Sequence, residues 1–271
     1  MLILLSPAKN LDWAAPPADL ARTQPVLRTQ TASLAKVAKG LSVGDLQQLM
    51  GISQKLAELN KDRFETFTTK AEPDAGKQAV LAFNGEVYLG LSAKTLTHQD
   101  LDWAQDRLRI LSGLYGILRP LDAISPYRLE MGTKLKTSKG TDLYDFWGDA
   151  IAKSLKADLK AHANPVVLNL ASDEYFSAVD TKALGAPVIT PRFLDVKDGK
   201  ARSVFLFVKQ ARGLMARFAI LNRIEDPAQM KTFDLGGYRF HPDQSSDLQW
   251  TFSRKQPPPV AQTRAKKQGA P

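Results

Sequence analysis

Residues 47–59, QQLMGISQKLAEL, set a glycine and a serine between two amphipathic runs. Residues 43–50 and 53–60 each make about two helical turns, and so short a connection between them fits a helical hairpin. Gly51 permits a positive φ and close backbone approach, while Ser53 is a good N-cap for the second helix. Together they leave the first amides of that helix unpaired, an anion site by hydrogen bonding and by dipole. The chemistry would be phosphate binding, with Lys55 adding charge. The alternative is a structural hairpin packed into the core.

Other basic residues fall at the ends of apolar runs. In ILSGLYGILRPLD (110–122) Pro120 disfavours a second long helix, so the segment reads as a helix C-cap followed by an irregular loop. Arg119, and Arg128 beyond it, are candidate anion ligands or plain solvated arginines. In KQARGLMARFAILNR (209–223) helical spacing sets Lys209, Arg212 and Arg223 on one face with Arg217 off it. Arginine suits bidentate phosphate contact, though a basic helix edge can also be only solvated.

SPAK (6–9) carries the bare S-x-x-K of penicillin-recognising serine enzymes, but neither S-D-N nor K-T-G occurs. Lys9 at a strand end therefore reads better as an anion ligand than as the activator of Ser6. NLASDEYF (169–176) gathers Asp173, Glu174 and Tyr175 after a strand, where acid and base residues often sit. It also reads as a helix start with acids at the positive end. His98, His162 and His241 are scattered without metal-ligand spacing, so no metal site and no cofactor are expected.

The elements that must position these residues are a mixture. Short apolar runs read as strands at 1–5, 79–83, 165–170, 187–194, 203–208 and 248–252. Helical patterns run from 98 to 111, with Thr97 and Asp100 as a capping box and Gly113 as a stop, from 145 to 160, and from 210 to 223. The fold class is α/β in the mixed α+β sense, with no internal repeat and no clean strand–helix alternation.

At 271 residues, 44% hydrophobic and 24% charged, the chain fits one folded domain over 1–253. The absence of cysteine excludes disulfides, thiolate metal sites and cysteine nucleophiles. The start, MLILLSPAKN, reads as a buried strand rather than a secretory signal, and VFLFV (204–208) is far short of a membrane span of roughly 20 residues. A cytoplasmic protein is expected. The net charge of +9 points to an anionic partner, yet Arg254, Lys255, Arg264, Lys266 and Lys267 follow Phe252 without an acid, which leaves the body at +4. Residues 254–271, rich in Pro, Gln and basic residues, read as a disordered tail.

LMGISQKLA resembles the helix-hairpin-helix element of DNA-repair proteins, with Gly51, Ile52, Ser53 and Lys55 in the motif positions and Ser53 standing for the usual second glycine. Over residues 1–253 the chain resembles the YaaA family of peroxide-stress proteins. The resemblance rests on MLILLSPAKNLD, LMGISQKLAELN, LAFNGEVYLGL, RILSGLYGILRPLD, PYRLEMGTKL, LYDFWGD, NLASDEYF and ARGLMARF, in that order. It implies a cytoplasmic protein made during hydrogen peroxide stress that limits damage by lowering unincorporated iron. It also implies a single-domain α/β fold of unusual topology, a helix-hairpin-helix element beside a basic cleft, and binding to duplex or branched DNA.

With no evident ferrous ligand set, any effect on iron is expected to be indirect. The expected phosphate ligands are Lys9, Lys55, Arg119, Arg128, Lys209, Arg212 and Arg217, with backbone amides from Gly51 to Ser53. Two other readings stay open. One is an enzyme acting on nucleic acid or a phosphorylated substrate through Lys9 or the Asp173, Glu174 and Tyr175 group; the other is an iron-binding protein.

Overall fold

Four consecutive apolar residues, Leu2–Leu5, form β1, and all four are buried because both faces of this strand are covered. The computed structural model describes residues 1–15, 20–69 and 76–258. After β1 come β2 (Asn10–Leu11), α1 (Arg28–Lys39), α2 (Val43–Met50), α3 (Gln54–Thr66), β3 (Lys77–Gln78), α4 (Ala79–Ala82), β4 (Phe83–Asn84), α5 (Glu86–Leu91) and α6 (His98–Arg107). The middle of the chain holds β5 (Leu108–Ser112), β6 (Gly116–Leu118), β7 (Ala123–Ile124), α7 (Leu143–Trp147), α8 (Ala150–Leu159), β8 (Val167–Leu170), α9 (Asp173–Phe176) and α10 (Thr181–Leu184). The last part holds β9 (Val188–Lys197), β10 (Lys200–Arg202), α11 (Phe205–Leu221), β11 (Arg239–Phe240) and β12 (Gln249–Lys255).

The main sheet has the order β11-β12-β9-β8-β1-β5-β6, with β10 paired to β9. Its interior, β12-β9-β8-β1-β5, is parallel throughout, and antiparallel β11, β10 and β6 lie outside it. The fold is therefore mixed α/β in one compact domain, as the sequence indicates. The parallel strands end on one side of the sheet, and β1 and β8, paired along Leu2–Leu5 with Val167–Leu170, deliver Ser6 and Ser172 there side by side. No helix of the described residues is long and apolar enough to cross a membrane.

Several elements differ from the sequence reading. The run 79–83 is not one strand: Ala79–Ala82 make a single turn of helix and only Phe83 enters a ladder, with Leu11. Residues 203–208 are not a strand either, since α11 begins at Phe205. In both cases an apolar run gives no period, and helix packing decides. The helix from 98 ends at Arg107, behind the expected Thr97 and Asp100 capping box, and the chain continues as β5 because Leu108, Arg109 and Ile110 pair with β1. The segment expected as a C-cap and loop is the β5–β6 hairpin, closed by Ser112 opposite Gly116. The helix expected over 145–160 is divided into α7 and α8.

The tail expected from 254 begins inside a strand. Lys255 pairs with Val196, and the Arg254 Nε donates to Asp195 Oδ1 at 2.8 Å. Residues 259–271 of that segment lie outside the described residues.

α5 and α11 meet almost backbone to backbone. A Cβ on Gly213 would lie 1.8 Å from the Val87 carbonyl oxygen, and one on Gly90 would lie 2.2 Å from that of Gln210. The two glycines let the helices close together, and Gln210 Nε2 donates to Glu86 Oε2 at 2.6 Å across the contact.

Candidate anion-binding site

The loop after β1 is pinned on two sides. The backbone N–H of Ser172, ahead of α9, donates to Ser6 Oγ at 2.8 Å, and the Tyr88 hydroxyl of α5 donates to the Ser6 carbonyl at 3.0 Å. Ala8 then lies against Gly85, where a Cβ would approach to 3.0 Å. Lys9 leaves this loop with its side chain 64% exposed and its Nζ 2.8 Å from Glu130 Oε1. Arg128 Nη2 donates to the same oxygen at 3.0 Å. The Arg128 Nε is buried without a hydrogen-bond partner among the described residues. Pro7, Lys9, Tyr127, Arg128, Glu130 and Tyr175 line the small cavity between these groups. Burial pushes the Tyr127 and Tyr175 phenols up, so both stay neutral donors.

α11 brings two further cations to the same end of the sheet. Partial burial, and then the nearby charges of Lys9 and Arg212, hold the Lys209 ammonium below the usual lysine range; Glu86 and Glu174 act in the opposite sense. Burial likewise lowers Arg212, against the pull of Asp173. Neither Lys209 nor Arg212 makes an ion pair with a carboxylate among the described residues. Asp173 and Glu174 occupy the first turn of α9, and Glu174 Oε1 accepts from the Gly132 N–H at 3.1 Å.

Four cations thus face four carboxylates, Glu86, Glu130, Asp173 and Glu174. Glu130 is matched to Lys9 and Arg128, whereas Lys209 and Arg212 stand outside ion pairs among the described residues.

The α2–α3 turn has the expected backbone form. Gly51 is left-handed at φ 59° and ψ 42°, and its N–H and that of Ile52 both return to the Gln47 carbonyl. Ser53 caps α3, its Oγ accepting from Leu56 N–H at 3.4 Å. The N–H groups of Ser53, Gln54 and Lys55 have no acceptor among the described residues, and all three residues are exposed. Ile52 is buried in the core.

The family model described as peroxide stress protein YaaA matches residues 1–244. The chain belongs to that family. It is 53% identical to a UPF0246 protein of Phenylobacterium zucineum over 98% of this chain and 99% of that one. It is 54% identical to a UPF0246 protein of Caulobacter vibrioides, over 95% of this chain and all of that one. A UPF0246 protein of Maricaulis maris is 55% identical over 95% of this chain and 97% of its own length.

In this member of the YaaA family Lys9, Arg128, Lys209 and Arg212 come together. Gly51, Ile52, Ser53 and Lys55 lie at the junction of α2 and α3, which pack on each other and, through α3, on α1. Arg119 and Arg217 are held elsewhere. Arg119 places Nε and Nη2 3.2 and 3.1 Å from Asp122 Oδ1 and reaches the Gln24 carbonyl at 3.0 Å. Arg217 donates to the carbonyls of Leu91 and Ser92, at the end of α5, at 3.0 and 3.2 Å. Both guanidinium groups are committed to satisfying the fold.

Ser6 and Lys9 do not form a nucleophilic pair, because the Ser6 hydroxyl engages Ser172 and Lys9 engages Glu130. No group of three or more His, Asp or Glu side chains that could hold a metal ion is found among the described residues. Sequence reasoning missed Glu130, for which the i,i+2 spacing of Arg128 and Glu130 in an extended segment was a signal.

Proposed function

We propose that the protein acts in the cytoplasm under peroxide stress by gripping the phosphate backbone of DNA, duplex or branched, without reading sequence. The observation that carries this reading is the convergence of Lys9, Arg128, Lys209 and Arg212 from three separate segments on one end of a parallel sheet, two of them without a carboxylate partner. Lys209 and Arg212, which stand outside ion pairs among the described residues, are suited to a polyanion. The unpaired amides of Ser53, Gln54 and Lys55 supply a second phosphate contact through a helix N-terminus. Bound protein would limit oxidative damage to the DNA, and the effect on unincorporated iron is indirect.

The test is a salt titration of affinity for labelled duplex and four-way-junction DNA. Lys209 and Arg212 together give a log–log slope of about −2, steepened to at most about −4 by Lys9 and Arg128, and a flat dependence refutes the reading. Lys209→Glu with Arg212→Glu, which reverses two charges, and separately Lys55→Glu with Gly51→Asp, which reverses one and adds another beside the amides, should each cost at least about tenfold in affinity. Deleting 259–271 should cost less than either. If deletion alone abolishes binding, the tail was the ligand and the two sites were not.

A second reading has its own observation: Glu130, Asp173 and Glu174 stand among the same cations, a mixture suited to acid–base work on a phosphorylated substrate. Incubation of labelled DNA with the protein and a divalent metal decides it, cleavage supporting an enzyme and intact DNA opposing one.

A further inference from the structure

Phe205 opens α11 and is 76% exposed, more than any other large apolar side chain described. Burial would favour such a ring by a few kcal/mol, so leaving it in water at the edge of a functional site is costly. Its neighbour one helical turn on is Lys209, whose Nζ lies 4.0 Å from the ring centroid. Lys209 in turn belongs to the cluster with Lys9 and Arg212. An open aromatic face is thus joined directly to the cations proposed to hold phosphate.

That combination defines a recognisable chemistry. An aromatic ring in water beside a basic track is the platform on which nucleic-acid bases stack once they are out of a duplex, and it is sequence-tolerant because each base has a π-face. A base paired inside a helix offers no free face, whereas a base in a gap, a flap or a junction arm does.

Resting on the phosphate-binding reading above, we infer that Phe205 is a stacking platform for an unpaired nucleobase whose flanking phosphate is held by Lys209 and Arg212, so that the site prefers DNA with unpaired bases over intact duplex. Lys209 lies over the ring, and at 76% exposure the ring is still largely open to a base. Charge complementarity favours a nucleotide over an apolar peptide side chain as the occupant of this face. Neither Lys209 nor Arg212 is held in an ion pair with a carboxylate among the described residues, so no such pair has to break before a phosphate is met.

The experiment compares a blunt duplex with the same duplex carrying a short single-stranded gap that contains 2-aminopurine. With the full chain, the gapped probe should bind more tightly, and its fluorescence should change as the purine stacks. Phe205→Ala should weaken the gapped probe about fivefold to a hundredfold and remove that fluorescence change, while blunt-duplex affinity changes much less. Phe205→Trp should retain tight gapped binding, with its own emission quenched by the base. Because the ring is exposed, circular dichroism should find both variants folded. The inference is overturned if Phe205→Ala weakens both probes equally or neither. Lys209→Glu separates the failures: loss of both probes with Phe205→Ala silent leaves phosphate binding standing and removes the stacking role. If Lys209→Glu is silent as well, the phosphate-binding reading itself falls.

Discussion

Gly213→Ala is a substitution for which two physical effects have opposite signs. Within a helix, alanine is favoured over glycine by about 1 kcal/mol, so local propensity predicts a more stable protein. Against this, the added methyl would lie 1.8 Å from the Val87 carbonyl oxygen, 2.7 Å from the Leu91 nitrogen and 2.8 Å from the Val87 carbonyl carbon. All three are backbone atoms, which cannot rotate away as a side-chain tip would. Restoring ordinary contact requires α5 and α11 to separate by more than about 1 Å along an interface of close-packed atoms, forfeiting much of the dispersion energy there. Overpacking costs of about 1–3 kcal/mol are typical, and a clash against backbone belongs at the upper end.

The net expectation is a loss of about 2 kcal/mol or more, which for a chain of this size lowers Tm by about 4–8 °C. Gly44→Ala in α2 is the control, since its nearest neighbour would be Ser42 Oγ at 3.8 Å. There propensity acts alone, and stability should rise by about 0.4–1 kcal/mol. Thermal and urea unfolding of the three proteins measure both effects. A Gly213→Ala protein with unchanged or raised Tm would refute the close approach of α5 and α11, and with it the placement of Lys209 beside Glu86.

The site gives two further predictions. Glu130→Gln removes the carboxylate that holds Lys9 and Arg128, so DNA affinity should rise about two- to fivefold in a gel-shift or anisotropy titration; a fall would show that Glu130 orders the cations rather than competing for them. Lys209 titrates below the usual lysine range and binds phosphate only as the ammonium, so affinity should fall as pH rises towards its lowered pKa. Lys209→Arg should keep its charge and flatten that decline, and parallel declines in both proteins would remove Lys209 from the contact.

The strands that the sequence makes legible lie in the parallel interior. MLILL and PVVLNL supply β1 and β8, which are buried throughout as continuous apolar runs allow, while PVITPRFL and LQWTF supply β9 and β12, which leave Arg192 and Gln249 exposed. The same composition at 79–83 and 203–208 is helical, because the run reports burial and not period. β5 was hidden for a different reason: Leu101, Ala104, Leu108 and Leu111 fit one helical face, and only pairing with Ile3, Leu4 and Leu5 reveals that the last two belong to a strand. At the site, residue type was legible and convergence was not. Arg119, Arg128, Arg212 and Arg217 look alike in sequence, but Asp122 claims the first and the end of α5 claims the last. Those partners are set by tertiary packing, which local spacing does not encode.

The two kinds of phosphate contact in this reading leave different thermodynamic traces. A lysine or arginine that neutralises a phosphate releases condensed counterions, and each one steepens the salt dependence by about 0.9 in log–log slope. A backbone N–H carries no net charge, so the amides after Gly51 add hydrogen-bond energy without adding slope. Lys209→Glu should therefore lower affinity and reduce the slope by about 1, whereas Gly51→Ala, strained at φ 59° but neutral, should lower affinity at every salt concentration with the slope unchanged. Glu130 adds a third trace: a phosphate that displaces a carboxylate exchanges one anion for another at Lys9 and Arg128, so those two cations release fewer counterions than Lys209 and Arg212 do. The slope of the Glu130→Gln protein should then be the steepest of the set, because the variant frees cations that the native protein has already neutralised.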